Sequence, residues 1–270
     1  MRLRTNASAE PLRICNGKRS GRENNMKHWR ASCLLLAAIL PAGGAGAERA
    51  PVLVELFTTE GSASCPPADR LLETLDPTAV VLGEHVTDSD NPAWRDRFSS
   101  PEFTRRQQAY ADRFRLSGTY TPEMVVDGEV EFNGSDARRA AAELAKAAKR
   151  VKAVPRLSWA EGGVQVQLDG AHPGDQVFLA LADASASSTV TGGENKGRQL
   201  HHVAVCREIR RVGKVPPGGA YYEILALPPQ ARRQRVILWT QAGDTGVVAG
   251  AAMLEPAESE TPAPPPAGRQ

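Results

Sequence analysis

Residues 52–72 read V-L-V-E-L-F-T-T-E-G-S-A-S-C-P-P-A-D-R-L-L and combine an apolar run, a glycine turn and a helix start. The apolar run contains one acid, Glu55, and the lone cysteine, Cys65, directly precedes two prolines. Unpaired backbone N–H groups and the helix dipole at a helix N-terminus stabilise a thiolate. We therefore expect a strand, a turn and a helix, with Cys65 as the candidate catalytic residue.

The residue three positions before Cys65 is Ser62, where a C-x-x-C redox pair would have its first cysteine. A hydroxyl cannot form a disulfide. A mixed disulfide formed at a single thiol has no neighbouring thiol to release it. The degenerate S-x-x-C motif therefore excludes the usual two-thiol route of disulfide exchange.

A secretory leader is predicted ahead of this stretch. A short basic segment from Met26 and an apolar run from Cys33 precede the small-x-small site Ala45-Gly46-Ala47, as in a signal peptide. We interpret residues 26–47 as that signal and residues 1–25 as a start placed upstream of the true initiator. The apolar run is shorter than the ~20 residues that span a bilayer. We expect a secreted or periplasmic protein whose mature chain has no transmembrane span.

Removal of the leader changes the sign of the net charge. Residues 1–47 hold 8 of the 33 Lys and Arg residues but 2 of the 31 Asp and Glu residues. The remaining 25 basic and 29 acidic residues give a net charge of −4. The basic character belongs to the leader, so the sequence gives no case for a nucleic-acid partner.

Residues 50–153 have the βαβαββα order of a thioredoxin fold. The predicted strands are 52–57 and 79–86, the helices are 66–75, 101–116 and 136–151, and a hairpin covers 124–132. In that fold a cis-proline precedes the third strand and abuts the redox site. Thr121-Pro122 occupies the matching place, and we predict a cis bond there. Ser62, Thr121 and Pro122 would then line a cleft beside Cys65 that suits a peptide or protein partner.

Residues 154–254 contain seven short alternating runs separated by Gly, Pro and Asp turns. This pattern is typical of an antiparallel β-sandwich. The expected fold class is therefore α/β plus all-β, with a thioredoxin-like N-terminal domain and a β-sandwich domain. A long polar loop is predicted over 185–198, and residues 255–270 are predicted to be a disordered tail.

The sequence resembles a family of secreted bacterial proteins of unknown function, DUF1223, with a thioredoxin-like domain followed by a β domain. The matching motifs are Glu55 to Thr58, Cys65 to Asp69, Phe98 to Pro101, Arg106-Gln107, Tyr120 to Pro122, Val126 to Gly128, and Gly193 to Arg198 followed by Leu200 and His202. The family pattern commonly has cysteine at position 62 and an aromatic pair after His85, both absent here. The resemblance implies the fold and export, without an established reaction.

Four further residues are candidates for supporting roles near the thiol: Glu55, His85, His202 and Cys206. Glu55 would either move protons or pair with an arginine. A metal site is not assigned, because His202 and Cys206 would lie ~13 Å apart on one strand. No cofactor motif is present. The even cysteine count of the mature chain leaves open a bond between Cys65 and Cys206.

Other polar residues of the motifs have ordinary structural interpretations. Ser62 and Ser64 are expected to cap the first helix, and Ser135 the last. Asp69 is expected to complement the helix dipole. Four arginines of one helix are expected to form a solvated face: Arg105, Arg106, Arg113 and Arg115.

Two functions of different class follow from these residues. The first is a non-enzymatic binding module that retains the cleft between Cys65 and Pro122 for a peptide or protein partner. The alternative is a redox-linked periplasmic thiol protein that uses Cys65 alone or with Cys206. Loss of the attacking cysteine at position 62 favours the binding module.

We predict that the exported protein begins at Glu48, because the Ala45-Gly46-Ala47 site precedes it. Intact mass spectrometry of the secreted or periplasmic protein measures this directly. A recovered species that retains Met26 would contradict the predicted cleavage.

Overall fold

The computed structural model describes residues 51–257. The predicted leader and most of the predicted tail lie outside the described residues. The elements are β1 (Leu53–Thr58), α1 (Cys65–Leu75), β2 (Val80–His85), α2 (Pro101–Phe114), β3 (Glu123–Val126), β4 (Val130–Asn133), α3 (Ala137–Ala147), β5 (Arg156–Ala160), β6 (Gly163–Leu168), β7 (Gln176–Thr189), β8 (Gln199–Lys214), β9 (Tyr221–Ala226), a 3-10 helix (Pro229–Arg233), β10 (Arg235–Gln241) and β11 (Val248–Leu254).

Eight strands form one mixed sheet in the order β11-β10-β7-β8-β2-β1-β3-β4, and β5-β6-β9 form a second sheet. β1 pairs parallel with β2 and antiparallel with β3, and β4 pairs antiparallel with β3. β8 joins β2 in parallel through Gly83 and Val205. The fold is therefore a sheet-dominated mixed α/β fold with three α-helices among the described residues.

The seven strands expected in the second half all form, but not as a sandwich apart from the first half. β7, β8, β10 and β11 extend the sheet of β1 to β4, and β5, β6 and β9 make the smaller one. Gly83 permits this junction, since a Cβ there would lie 3.2 Å from the carbonyl oxygen of Val203. The expected domain boundary between residues 153 and 154 stays a prediction.

Of three local features expected from the sequence, the cap of α2 is confirmed, whereas the polar loop and the cap of α3 differ in the structure. The polar loop is shorter than expected, because β7 runs to Thr189 and β8 starts at Gln199. Ser100 caps α2 as expected by accepting from the backbone N–H of Glu102 at 3.2 Å. The cap of α3 is Asp136, which accepts from the Arg139 N–H at 2.9 Å, and the prediction for Ser135 was wrong.

The alternation of β1 sends its side chains into two different cores. Leu53 and Phe57 pack on the face covered by α2, with Tyr110 and Trp239. The β1 residues Val54 and Leu56 point to the other face. There they pack with Leu72 of α1 and Ala140 of α3. A third core lies between the small sheet and β7 and β10, where Val166, Leu179 and Leu238 meet.

The first residues after the predicted sandwich strands keep contacts with the small sheet. The backbone oxygen of Glu255 accepts from the Trp159 indole at 3.0 Å, and the Ala257 N–H donates to Arg232 O at 2.9 Å. Within the described range, none of the helices has the length and apolar character needed to cross a bilayer.

The turn between β3 and β4 contacts the turn between β10 and β11. Gly128 has a positive φ of 60°, and a Cβ there would collide with the carbonyl oxygen of Gly246. Its neighbour Asp127 accepts from the Leu53 N–H at 2.9 Å and pairs with Lys152 at 2.7 Å. This turn therefore ties the first strands to the last hairpin.

Replacing Gly128 by alanine should lower the free energy of unfolding by about 3 kcal/mol, since left-handed backbone strain and a backbone collision add together. Gly162→Ala has a similar φ of 73° without a neighbour within 4 Å, and should cost about 1 kcal/mol. Gly118→Ala, with neither feature, should stay within about 0.5 kcal/mol of wild type. Urea denaturation measures all three, and equal effects at Gly128 and Gly162 would contradict the contact between the two turns.

Candidate functional site

The S-x-x-C motif forms a turn between β1 and α1. The Cys65 N–H donates to the Ser62 carbonyl oxygen at 3.2 Å. Ala63 and Ser64 are exposed and Ser62 is half-buried. The Cα atoms of the first and fourth residues of such a turn lie within about 7 Å of each other, which is the reach of a disulfide. The turn thus has the spacing of a redox pair, with a hydroxyl in place of one thiol.

The Cys65 thiol differs from the sequence-based expectation. Its exposed fraction is 0%, and burial raises the pKa of the thiol. Hydrogen bonds from the Thr59 backbone and from the Thr58 and Thr121 hydroxyls oppose this shift, while the Asp69 carboxylate adds to it. The predicted helix-terminus thiolate was wrong: Cys65 carries a buried, protonated thiol at neutral pH.

Thr121-Pro122 lies against this turn, and its peptide bond is cis as predicted. The Ser64 hydroxyl donates to the Thr121 carbonyl oxygen at 3.3 Å and lies 2.9 Å from the Ser62 hydroxyl. Ser64 is the N-cap of α1 without a capping bond from its side chain. The two serines therefore bridge the turn to the cis-proline segment instead of capping α1, and the structure brings Ser62, Cys65 and Thr121 together.

A buried ionic cluster lies behind the turn. His202 Nε2 is 3.3 Å from Glu60 Oε1, and His202 Nδ1 is 3.6 Å from Asp69 Oδ2. Burial lowers the pKa of His202, but the Asp69 and Glu60 carboxylates outweigh it and raise the pKa to about 9. Asp69 also accepts from the Thr58 hydroxyl at 3.0 Å. Asp69 therefore binds His202 and Thr58, and its assignment to the helix dipole was wrong.

His85 lies edge-on against His202, with 4.7 Å between ring centroids. Its Nδ1 is 2.7 Å from Asp96 Oδ2, which also accepts from the Glu60 N–H at 2.7 Å. Although burial acts to raise it, these hydrogen bonds lower the pKa of Asp96. The two histidines predicted to support the site are thus brought together by Glu60, Asp69 and Asp96.

Glu55 and Cys206 lie elsewhere, in the core on the α2 face of the sheet. Glu55 Oε1 accepts from Arg106 Nε at 2.5 Å, and Oε2 accepts from the Tyr110 hydroxyl at 2.6 Å. Glu55 therefore pairs with an arginine, one of the two roles expected for it. The Arg106 side chain is only 8% exposed, so its assignment to a solvated face was wrong.

Cys65 and Cys206 are both free and buried, so the disulfide that the even cysteine count left open is not present. Cys206 packs with Phe57 and Tyr110 on the α2 face, while Cys65 opens α1, whose apolar residues pack on the other face. The sheet separates the two cores. Cys206 is therefore a core residue, and its burial raises the pKa of the thiol well above its usual range.

Sequence reasoning missed three residues that hold the turn: Glu60, Asp96 and Asn195. Each is nearly or fully buried. The motif Gly193 to Arg198 was the only signal for Asn195. Nothing in the sequence marked the acids, because Glu60 meets His202 and Asp96 meets the Glu60 N–H only in the folded chain. Within residues 51–257, no group of three or more His, Cys, Asp or Glu residues is arranged to hold a metal ion.

Comparison with known proteins places these motifs in a wider context. The family described as "Protein of unknown function (DUF1223)" matches residues 53–241. The crystal structure of protein AGR_C_4864 from Agrobacterium tumefaciens is similar, with a TM-score of 0.70, 24% identity, and coverage of 79% of this chain and 97% of that chain. HBP35 of Porphyromonas gingivalis is similar with a TM-score of 0.51 and 13% identity, over 82% and 79% of the two chains. A search of curated proteins found no match. The two structures bear on the fold alone.

We predict that His202 titrates near pH 9 by NMR. Because this pKa lies above the ~6.5 of an unfolded histidine, its stabilisation is complete below pH 6.5 and is lost as pH rises through 9. His202→Gln should therefore remove the fall in urea midpoint across this window. His201→Gln, at the exposed neighbouring position, should keep it. Identical pH profiles for wild type and His202→Gln would contradict the ionic cluster.

Proposed function

This chain belongs to the family described as protein of unknown function DUF1223, and from its site we propose a thioredoxin-like binding protein without disulfide-exchange activity. The cleft between the S-x-x-C turn and Thr121-Pro122 holds an extended segment of a peptide or protein partner. One observation carries the proposal: the Cys65 thiol is fully buried, and position 62 has a hydroxyl where a redox pair would have its other thiol.

The strand arrangement supports the thioredoxin-like part of the proposal. β2, β1, β3 and β4 are neighbours in this order, and β3 is antiparallel to β1 and β4. α1 and α3 cover one face of these strands and α2 covers the other. The cis bond before β3 meets the start of α1, as the resemblance implies.

The chemistry of Cys65 argues against a redox role. Disulfide exchange requires attack by a thiolate, followed by release through a second thiol. Burial keeps the Cys65 thiol protonated and away from solvent, and Ser62 cannot release a mixed disulfide. Cys206 is no substitute, because it packs in the core on the other side of the sheet. The redox-linked alternative therefore has less support than binding.

The surface of the turn supports binding. Ala63 and Ser64 are exposed, and Ser62 and Thr121 are half-buried. Hydroxyl groups at this surface can donate to and accept from the backbone of an extended polypeptide. We further propose that binding occurs outside the cytoplasm, since residues 26–47 have the pattern of a signal peptide.

We expect wild-type protein to bind reduced, carboxymethylated α-lactalbumin, a permanently unfolded polypeptide, without reducing insulin disulfides. NMR titration should shift the amides of Ala63, Ser64 and Thr121. Ala63→Arg should weaken binding at least tenfold, because a long charged side chain would cover the cleft. Ala145→Arg makes the same change at an exposed position of α3 and should bind as wild type does.

Ser62→Cys completes a C-x-x-C motif and is the matched test of the lost activity. It should form a disulfide with Cys65, measured as a mass loss of two hydrogens per chain, and should gain insulin reduction. Wild-type insulin turnover equal to that of Ser62→Cys would overturn the absence of exchange. Equal weakening of binding by Ala63→Arg and Ala145→Arg would overturn the cleft as the binding surface.

A further inference from the structure

We propose that residues 193–198, the G-E-N-K-G-R loop between β7 and β8, position the S-x-x-C turn and restrict the partner to the side of Thr121. This loop is named the clamp below. Asn195 and Glu194 are its positioning residues. The restriction on the partner rests on the proposed function, whereas the positioning of the turn is independent of it.

Asn195 holds two carbonyl groups of the turn at once. Its side-chain amide donates to Glu60 O at 2.9 Å and to Ser62 O at 2.7 Å. Its own carbonyl oxygen accepts from the Arg198 guanidinium at 2.6 Å. The Asn195 side chain is fully buried, so the loss of a partner would leave its buried amide unpaired.

Glu194 holds the next residue of the turn. Its carboxylate accepts from the Ala63 N–H at 2.8 Å, and its own N–H donates to Gly61 O at 2.9 Å. The carboxylate thus accepts from a backbone N–H group just ahead of α1. Without it, the N-terminus of the helix would attract another anionic group to this place. A negatively charged ligand group is excluded from this place by like-charge repulsion.

One glycine allows the clamp to approach this closely. Gly193 has a φ of 68°, and a Cβ there would lie 2.7 Å from the Gly61 Cα. Only a residue without a side chain fits between the two backbones. In the G-E-N part of the motif, Gly193 therefore allows the two backbones to come close, and Glu194 and Asn195 supply the hydrogen bonds to the turn.

The clamp leaves one side of the turn open. The Ser62 carbonyl and the Ala63 N–H are both occupied by the clamp, so a partner cannot use them without displacing it. Ser64 and Thr121 lie on the other side and are bonded to each other. An extended segment that binds the turn therefore reaches it from the side of Thr121, where it replaces the 3.3 Å hydrogen bond between Ser64 and Thr121.

The test of positioning uses hydrogen exchange in the full mature chain. Asn195→Ala should speed exchange of the Cys65 N–H at least tenfold, because the hydrogen bond of this group depends on the position of the Ser62 carbonyl. Glu194→Ala should speed exchange of the Ala63 N–H by a similar factor, because it removes the acceptor of that group. Lys196→Ala, an exposed change in the same loop, should leave both amides as in wild type. Exchange unchanged in Asn195→Ala and Glu194→Ala, or raised equally by Lys196→Ala, would overturn the proposal.

A second readout uses the Ser62→Cys background. When the introduced thiol and the Cys65 thiol form a disulfide, two electrons and two protons pass to glutathione disulfide and yield two glutathione molecules. A fixed turn raises the effective concentration of one thiol near the other, so Asn195→Ala should shift this equilibrium toward the dithiol about tenfold. Lys196→Ala should not shift it. An unchanged equilibrium in Asn195→Ala would count against positioning even if the variant folds normally.

The two proposals fail in different ways. If wild-type protein does not bind carboxymethylated α-lactalbumin but the exchange pattern holds, the proposed function fails and the clamp stands. If the probe binds and both clamp variants keep wild-type exchange, the clamp fails and the binding function stands.

Discussion

The parallel pairing of β8 with β2, through Gly83 and Val205, is the contact on which the rest of the structure depends. An unpaired edge of β2 would leave its backbone groups without partners in the interior. β8 pairs with this edge at Gly83 and carries the strands of the second half into the same sheet. It also brings His202 to the back of the S-x-x-C turn and begins directly after the last residue of the clamp. The site is therefore built by both halves of the chain.

Buried charges constrain both faces of this sheet. On one face, Glu55 binds Arg106 and Tyr110, and burial raises the pKa of the neighbouring Glu84 well above its usual range. On the other, the His202 ring is held between Glu60 and Asp69. An isolated charge at either place would carry a large desolvation cost. Each cluster is tolerated because its members come from different elements and neutralise one another, which makes the placement of those elements specific.

The predictable part of this protein is local. The apolar run before Ser62, the cap at Ser100 and the alternating runs of the second half identify elements that all form, although β7 extends to Thr189, into the expected polar loop. The cis bond at Pro122 was predicted from its place in the βαβαββα order. The strands, the helices and the cap at Ser100 depend on backbone preferences and on side-chain periodicity, which neighbouring residues determine.

The protonation of Cys65 was not predictable in the same way. A helix N-terminus favours a thiolate, but burial has the larger effect on this thiol and raises its pKa. Glu60 gave no local signal of its role, because it lies 135 residues from Asn195 and 142 residues from His202 in the chain. The sequence by itself determined the strands, the helices and the missing thiol at Ser62. The tertiary structure alone decided burial, charge pairing and the hydrogen bonds between residues 193–198 and the turn, because desolvation and hydrogen bonding between distant segments exist only once the sheet has formed.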